Sequence, residues 1–436
     1  MRRIAEDIAG RRRTRETTFL VTGGTGFIGS HIAAHLLEQG HAVVLLCRGG
    51  GRLTAPMRVE RIMDWFGLGK AQQARLEVVE GSLEKPDLGL DRERYDVLAR
   101  KTDEIIHCAA STSFSERKRP EAETANVAGA KNVLALAARG ACAFFHHVST
   151  AYVAGDRTGE CAEEFVETTR FLNVYEETKH RAERLALDAC RDAGIRLNIY
   201  RPSIIHGDSR TGRSLRFSGL YYPLKSLVFI RDLYNRDLQE NGGEKARAMG
   251  VTRGKNSALH MPIRIEKCGD GSLNLIPVDH FVQAFAAIME DCLEGDIFHI
   301  VSKRPKTIED LIEFSGRYFG VEGIRTAGPE EFRRKPRSGL ESLFGGYISL
   351  YLPYMNDKRT FVNEKAAAIL RKRSLSCPDF DYQALSRCMR YALSVDWGKK
   401  LYSIKDREHE SAHSKASCVP GACLHGADEQ LQERPL

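Results

Sequence analysis

TFLVTGGTGFIGSHIAAHLLEQGHAVVLLC, residues 18–47, changes periodicity twice within thirty positions. A short β-rich run, Thr18–Val21, leads into Thr22-Gly23-Gly24-Thr25-Gly26-Phe27-Ile28-Gly29. Beyond it Ile32, Ala33, Leu36 and Leu37 recur at helical spacing until Gly40 stops the helix. A second apolar run, Ala42–Cys47, completes strand, glycine turn, helix, strand: a βαβ unit. Gly23 lets the chain turn, Gly26 lets backbone approach a pyrophosphate, and Gly29 lets helix and strand pack closely. Gly23, Thr25, Gly26, Phe27, Ile28 and Gly29 are therefore candidate cofactor residues, with phosphates met by amides at the positive end of the helix dipole. A Gly-rich structural loop is the bland alternative, weakened by the flanking strand and helix.

The end of the second strand selects the dinucleotide. An NAD site places Asp or Glu there for the ribose 2′-hydroxyl. Here Arg48 stands 19 residues beyond Gly29, and no acid occurs from His41 to Val59. Arg48, with Arg52 or Arg58 nearby, suits a 2′-phosphate, because guanidinium pairs with phosphate through charge-assisted, bidentate bonds. The expected cofactor is NADPH; the plainer alternative is a solvated arginine beside Gly49-Gly50-Gly51.

Length and composition set the frame around this unit. The 436 residues allow two or three domains, or one large α/β domain with insertions, and 42% apolar content excludes wholesale disorder. No apolar run approaches the roughly 18 residues needed to cross a bilayer. The 65 basic and 58 acidic residues leave a net charge of +7, too mild to imply a nucleic-acid partner. Eleven scattered cysteines suit a reducing, cytoplasmic setting better than a disulfide framework. Residues 1–17 carry six arginines and read as a disordered or loosely docked arm. Residues 401–436 read as a flexible tail; His409, His413, Cys418, Cys423 and His425 can be drawn as a metal site, but their spacing argues against one. No metal is expected, and nothing in the sequence fixes the oligomeric state.

Three more strand-like runs follow, Leu76–Val79, Glu104–Cys108 and Ala143–Ser149, separated by helical stretches as a doubly wound sheet requires. The first of these ends in Gly81-Ser82-Leu83, and the second in Ala109-Ala110, small residues that let backbone lie against a cofactor. The third ends in Ser149-Thr150, at the carboxyl edge where open α/β sheets bind ligands. Twenty-five residues beyond Thr150 stands Tyr175-Glu176-Glu177-Thr178-Lys179. A tyrosine and a lysine four apart share a helical face, where the ammonium favours phenolate and lowers the tyrosine pKa. The spacing occurs three times here. Tyr221/Lys225 encloses Pro223, and Tyr354/Lys358 has no hydroxyl-bearing strand end shortly upstream. Tyr175/Lys179 lies between a strand ending in Ser-Thr and another apolar strand, Leu197–Tyr200.

With Thr22–Gly29, Thr150, Tyr175 and Lys179 in place, the chain resembles the extended short-chain dehydrogenase/reductases. It is most similar to their thioester-reductase branch, which includes fatty acyl-CoA reductases and the terminal reductase domains of carboxylic acid reductases. The likeness is carried by LLCR (45–48), PDLGL (86–90), IIHCAASTSF (105–114), NVAGAKNVL (126–134), HVSTAYV (147–153), YRPSIIHGDSRTG (200–212) and LNLIPVDH (273–280), and spans roughly residues 18–370. It implies a Rossmann domain over 18–206, with 273–301 returning to it. A smaller, mostly helical substrate part is implied over 207–272 and 302–400. The family usually has Gly-Asp-Leu after the third strand; here Ser82 replaces the acid and can still hydrogen-bond near the adenine. His206 stands where this branch suggests an apolar residue, as a core histidine or a substrate contact.

The resemblance implies that Thr150 donates to a substrate carbonyl, Tyr175 is the general acid, and Lys179 bonds the nicotinamide ribose and tunes Tyr175. Ser82, Leu83, Ala109, Ala110, Pro202 and Ser203 join Arg48 and Arg58 around the cofactor. Asn126 either anchors a relay water or hydrogen-bonds backbone. The implied substrate is an acyl thioester on coenzyme A or an acyl-carrier protein, reduced to aldehyde and then, with a second hydride, to alcohol. About 17 residues precede the reductase, so the thioester is expected in trans. Tyr221, Tyr222, Leu224, Leu227, Val228, Phe229 and Ile230 are candidates for an acyl channel, a peripheral membrane contact or an ordinary core helix. Arg333-Arg334-Lys335 with Arg337 is a candidate carrier contact or a solvated face. The runner-up activity uses the same site on a ketone or alcohol, of sterol or nucleotide-sugar type. A non-catalytic NADP-binding scaffold is a third reading, which intact Thr150, Tyr175 and Lys179 oppose.

Overall fold

In the computed structural model, residues 2–14, 17–49, 53–254 and 258–401 are described. Seven parallel strands form the central sheet: β1 (Thr18–Thr22), β2 (Ala42–Cys47), β3 (Leu76–Glu80), β4 (Glu104–His107), β5 (Phe144–Val148), β6 (Arg196–Pro202) and β7 (Ile297–Ile300). Their order is β7-β6-β5-β4-β1-β2-β3, so the order in which strands are added reverses between β1 and β4. That reversal opens a crevice at the carboxyl ends of the strands.

Both sheet faces are covered. Phe19 and Val21 project to one side, into a core shared with Ile32, Leu36, Phe281 and Phe285. Leu20 projects to the other, with Leu98, Ile105, Val133 and Phe145. This explains why the strands read as continuous apolar runs: a parallel sheet buried on both faces has no polar side.

Six helices matter for the site: α1 (Arg2–Thr14), α2 (Phe27–Glu38), α3 (Val174–Ala193), α4 (Tyr221–Glu240), α5 (Val278–Asp291) and α6 (Glu364–Lys372). The region expected as a disordered or loosely docked arm is largely the helix α1, docked through Ile8 and Arg12. Ile8 is buried, and Arg12 pairs with the buried Glu104 at 2.6 Å, which also bonds His146 at 2.8 Å. Arg12 further donates to the Met289 carbonyl. A row of arginines looks solvated in sequence; one of them finds a buried carboxylate 92 positions away.

The smaller part has its own core around α4, Met261, Ile263, Phe344 and Leu385. It is not purely helical, since Leu259–Glu266 pairs in parallel with Val321–Ala327. Residues 359–372, grouped by sequence with the substrate part, return to the nucleotide half. Arg359–Phe361 pairs in parallel with Gly159–Cys161, and Ala366 and Leu370 of α6 enter the core beside α5. The proposed tail, with its histidines and cysteines, lies outside the described residues from Tyr402 on. Among the described residues no cluster of potential metal ligands occurs, and no helix is long and apolar enough to cross a membrane.

Candidate active site

The glycine turn is built as its sequence requires. Gly23 has φ +72°, and a Cβ there would lie 2.7 Å from the Ala109 amide nitrogen. The end of β4 therefore presses on the turn through small residues, Ala109 and the exposed Ala110. A Cβ on Gly26 would approach the Gly23 carbonyl to 3.0 Å, and one on Gly29 would overlap that carbonyl. Gly26 is the N-cap of α2 and supplies no side-chain cap, and Thr25, Phe27 and Ile28 stay partly open.

Arg48 follows β2 and is largely exposed, its guanidinium 3.3 Å from Glu84. Arg58 turns back to donate to the Arg48 carbonyl. Both cations thus stand at the carboxyl end of β2. Gly81 and Ser82 are fixed by bonds to the Cys47 and Leu88 carbonyls, at 2.9 and 2.7 Å. The Leu83 carbonyl accepts from Asn132 at 2.7 Å.

Thr150 ends the β5 segment in extended conformation, and its oxygen accepts from the Tyr152 amide at 3.4 Å. Helix α3 begins at Asn173, whose side chain caps the Glu176 amide at 3.1 Å. That start places Tyr175 beside Thr150, close enough for the threonine side chain to lower the pKa of the phenol. The Tyr175 ring keeps some exposure while its hydroxyl end is enclosed. Burial pushes the phenol up to about 12 against the lowering effect of Thr150. This reverses the expected lowering by Lys179. One turn on, the Lys179 ammonium donates to the Val148 carbonyl at 2.8 Å, and burial lowers it to about 8. Tyr175 is thus held as a protonated phenol, the form an acid must have.

A nicotinamide dinucleotide fits this cradle on observations of the chain itself. The hydroxyls of Ser149 and Ser203 are buried without hydrogen-bond partners at the strand ends, and Pro202 precedes Ser203 at the end of β6. On the adjacent strands β4 and β5, His107 and His147 stack at 5.5 Å. Burial drives both histidines well below their ordinary value, to about 3 for His107, so they are neutral. Cys108 is pushed up to about 12 by burial and is no nucleophile.

Other sequence candidates resolve geometrically. Asn126 lies in a single π-helical turn, Glu123–Ala128. It accepts from the Ser111 amide at 2.6 Å and donates to the Ser111 carbonyl and the Thr178 hydroxyl. That is the backbone-bonding alternative. His206 packs edge-on to Phe380 and sits 3.7 Å from Cys388, a buried core histidine. Of the α4 cluster, Tyr221, Leu224, Leu227, Val228 and Ile230 are core, and Phe229 is exposed.

Sequence reading missed Glu176, Tyr354 and Arg359. Glu176 is fully buried beside Tyr175; it accepts from the Tyr354 hydroxyl at 2.9 Å and pairs with Arg359 at 3.3 Å. Glu183 and Arg201 were missed too, a buried pair at 2.6 Å that ties α3 to β6. A charge inside a motif gives no local hint of a partner almost two hundred residues away.

These features define an extended short-chain dehydrogenase/reductase, an oxidoreductase with a nicotinamide dinucleotide site. Residues 21–285 match the family described as male sterility protein, and the chain belongs to that family. It is 25% identical over 392 residues to a linear gramicidin synthase of Brevibacillus parabrevis, covering 85% of this chain and 7% of that protein. It is 31% identical over 216 residues to aldehyde reductase lnaA of Aspergillus flavus, covering 46% and 20%. The chain thus spans a fifth or less of these relatives' length. Among solved structures, the terminal R domain of the myxalamid PKS-NRPS pathway superposes with TM-score 0.68 at 21% identity, covering 87% of this chain and 90% of that one. The UDP-glucuronic acid 4-epimerase of Bacillus cereus, solved with NAD, gives 0.59 at 18% identity, covering 88% and 98%.

Proposed function

We propose that the protein is an NADPH-dependent reductase of an acyl thioester, presented by coenzyme A or an acyl-carrier protein and reduced to aldehyde, with alcohol as the product of a second round. The observation that carries this reading is the strand end bearing Thr150 set against the first turns of α3, with Tyr175 beside Thr150 and Lys179 bonded to the Val148 carbonyl at 2.8 Å. The relatives support the thioester class, being a gramicidin synthase, an aldehyde reductase and reductase domains, one of them in a thiolation-reductase di-domain.

Bound NADPH supplies the hydride. Gly23, Thr25, Gly26, Phe27, Ile28 and Gly29 would hold its pyrophosphate at the start of α2, and Arg48 with Arg58 would receive the 2′-phosphate. Ser82 and Leu83 would hold the adenine end, Ala109 and Ala110 would leave room for the dinucleotide, and Pro202 and Ser203 would meet the nicotinamide. Thr150 donates to the carbonyl oxygen, stabilising the charge that develops there. Tyr175 delivers its proton to that oxygen as hydride reaches carbon. The resulting hemithioacetal loses thiol and leaves the aldehyde. Lys179 bonds the ribose as an ammonium and holds the Val148 carbonyl in place.

The test is NADPH oxidation with acyl-CoAs of increasing chain length and with free ketones, and NADP+ reduction with sterols. Turnover with release of free thiol is expected. Turnover confined to a ketone or alcohol would overturn the thioester assignment.

A further inference from the structure

Arg359 stands in the short strand that the late part of the chain adds beside Gly159–Cys161. Its guanidinium is 1% exposed and reaches two directions at once. Towards the Thr150 turn, Nη1 donates to the Gly155 carbonyl at 2.7 Å and approaches the Tyr152 carbonyl at 3.4 Å. Towards α3, the same nitrogen and Nη2 meet Glu176 Oε1 at 3.3 and 3.4 Å. Asp357 clamps the other edge of the fork, with bonds of 2.8 and 2.9 Å. Glu176 is the neighbour of Tyr175, and Tyr152 is two residues past Thr150. The two segments that carry the hydroxyls, 25 positions apart in sequence, are therefore bolted to one planar cation.

We propose that Arg359 is a positioning residue that sets the alignment of the Thr150 hydroxyl with the Tyr175 phenol, an inference that rests on the reductase reading above. Its planar five-donor head suits the task. A lysine keeps the charge opposite Glu176 but cannot bond two carbonyls and a carboxylate in one plane. A fold brace could sit anywhere along α3, yet this one grips the first turn of α3 and the turn after Thr150. Misplacement of a reacting group by about 1 Å costs on the order of 100-fold in rate.

The experiment compares wild type, Arg359→Gln and Arg359→Lys, with each protein's folding checked by thermal melt. NADPH binding is followed by fluorescence, and turnover is measured with an acyl-CoA. In parallel, ring-carbon NMR of labelled tyrosine, assigned with Tyr175→Phe, reports the environment of the Tyr175 phenol beside Thr150 without turnover. In both variants kcat is expected to fall roughly 10- to 100-fold, with NADPH affinity and acyl-CoA KM little changed and the Tyr175 resonance displaced. Arg359→Lys, which keeps the buried carboxylate paired, guards against a folding failure of Arg359→Gln. An unmoved Tyr175 resonance in a folded variant overturns the inference, as does full rescue of kcat by lysine. Wild type inert towards every thioester would sink the thioester reading alone, because the resonance still tests Arg359.

Discussion

The Nζ of Lys179 lies 2.8 Å from the carbonyl oxygen of Val148, so the helix that carries Tyr175 is tied to the strand end that carries Thr150. The lysine has few other groups to offset its burial, chiefly Glu183 and Cys108, and it is lowered to about 8.

That value fixes a pH dependence. In the free enzyme Lys179 is an ammonium below about 8 and loses its proton above it. The kcat/KM for NADPH, which reports the free enzyme, should therefore decline through an alkaline limb near pH 8. Lys179→Arg should move that limb out of range. The unfolded chain holds the extra proton between about 8 and 10.5, so the contribution of Lys179 to fold stability rises with pH over that interval. A profile flat well past 8 in wild type contradicts the assignment.

Loss of the acid should separate chemistry from binding. Tyr175→Phe should lower kcat by roughly 100- to 10,000-fold, and Thr150→Val by roughly 100- to 1,000-fold. NADPH titration by fluorescence should be nearly unchanged in both. Matching losses in affinity and kcat would move these residues from chemistry to architecture.

Cofactor choice should follow Arg48 and Arg58. Each charge-assisted bond to the 2′-phosphate is worth about 1.5–3 kcal/mol, so Arg48→Ala should raise the KM for NADPH roughly 10- to 100-fold and leave that for NADH alone. Steady-state kinetics with both dinucleotides decide it. Equal losses for the two would remove Arg48 from the 2′-phosphate.

Stability should depend on Arg12. Burial alone would raise the Glu104 carboxyl, but bonds from His146 and Arg12 hold it below the usual carboxylate range. Its contribution is present above its ordinary pKa and is lost as pH falls through the lowered one. Arg12→Ala leaves Glu104 buried without its counter-ion and should cost about 3–5 kcal/mol. Urea denaturation at neutral pH measures this directly.

The nucleotide half was legible in sequence because each of its rules is local. A glycine needed at positive φ, a strand buried on both faces and a helix begun beside a turn are all written within thirty residues of Thr18. Thr150 and Tyr175 were legible for a related reason: strand end and helix start each carry their own signal, and the sheet brings them together. What escaped was long-range charge. Glu176 drew no reading of its own from the sequence, and only the structure shows Arg359 and Tyr354 against it; the arginines of residues 1–17 read as a disordered or loosely docked arm, and nothing local pointed from Arg12 to Glu104. The direction of the Tyr175 shift escaped as well, because helical spacing places Lys179 near the phenol but says nothing of its burial or of the Val148 carbonyl that occupies it.

The return of residues 359–372 to the nucleotide half bears on how this scaffold can be re-engineered. A chimera that exchanges everything after Ser302 would discard the strand beside Cys161, the helix against α5 and the cation between the two hydroxyl-bearing segments. A graft confined to residues 207–272 and 303–350 retains all three. Modularity here runs through the interior of the chain, and the strand and helix of residues 359–372 count among the parts that cannot be exchanged.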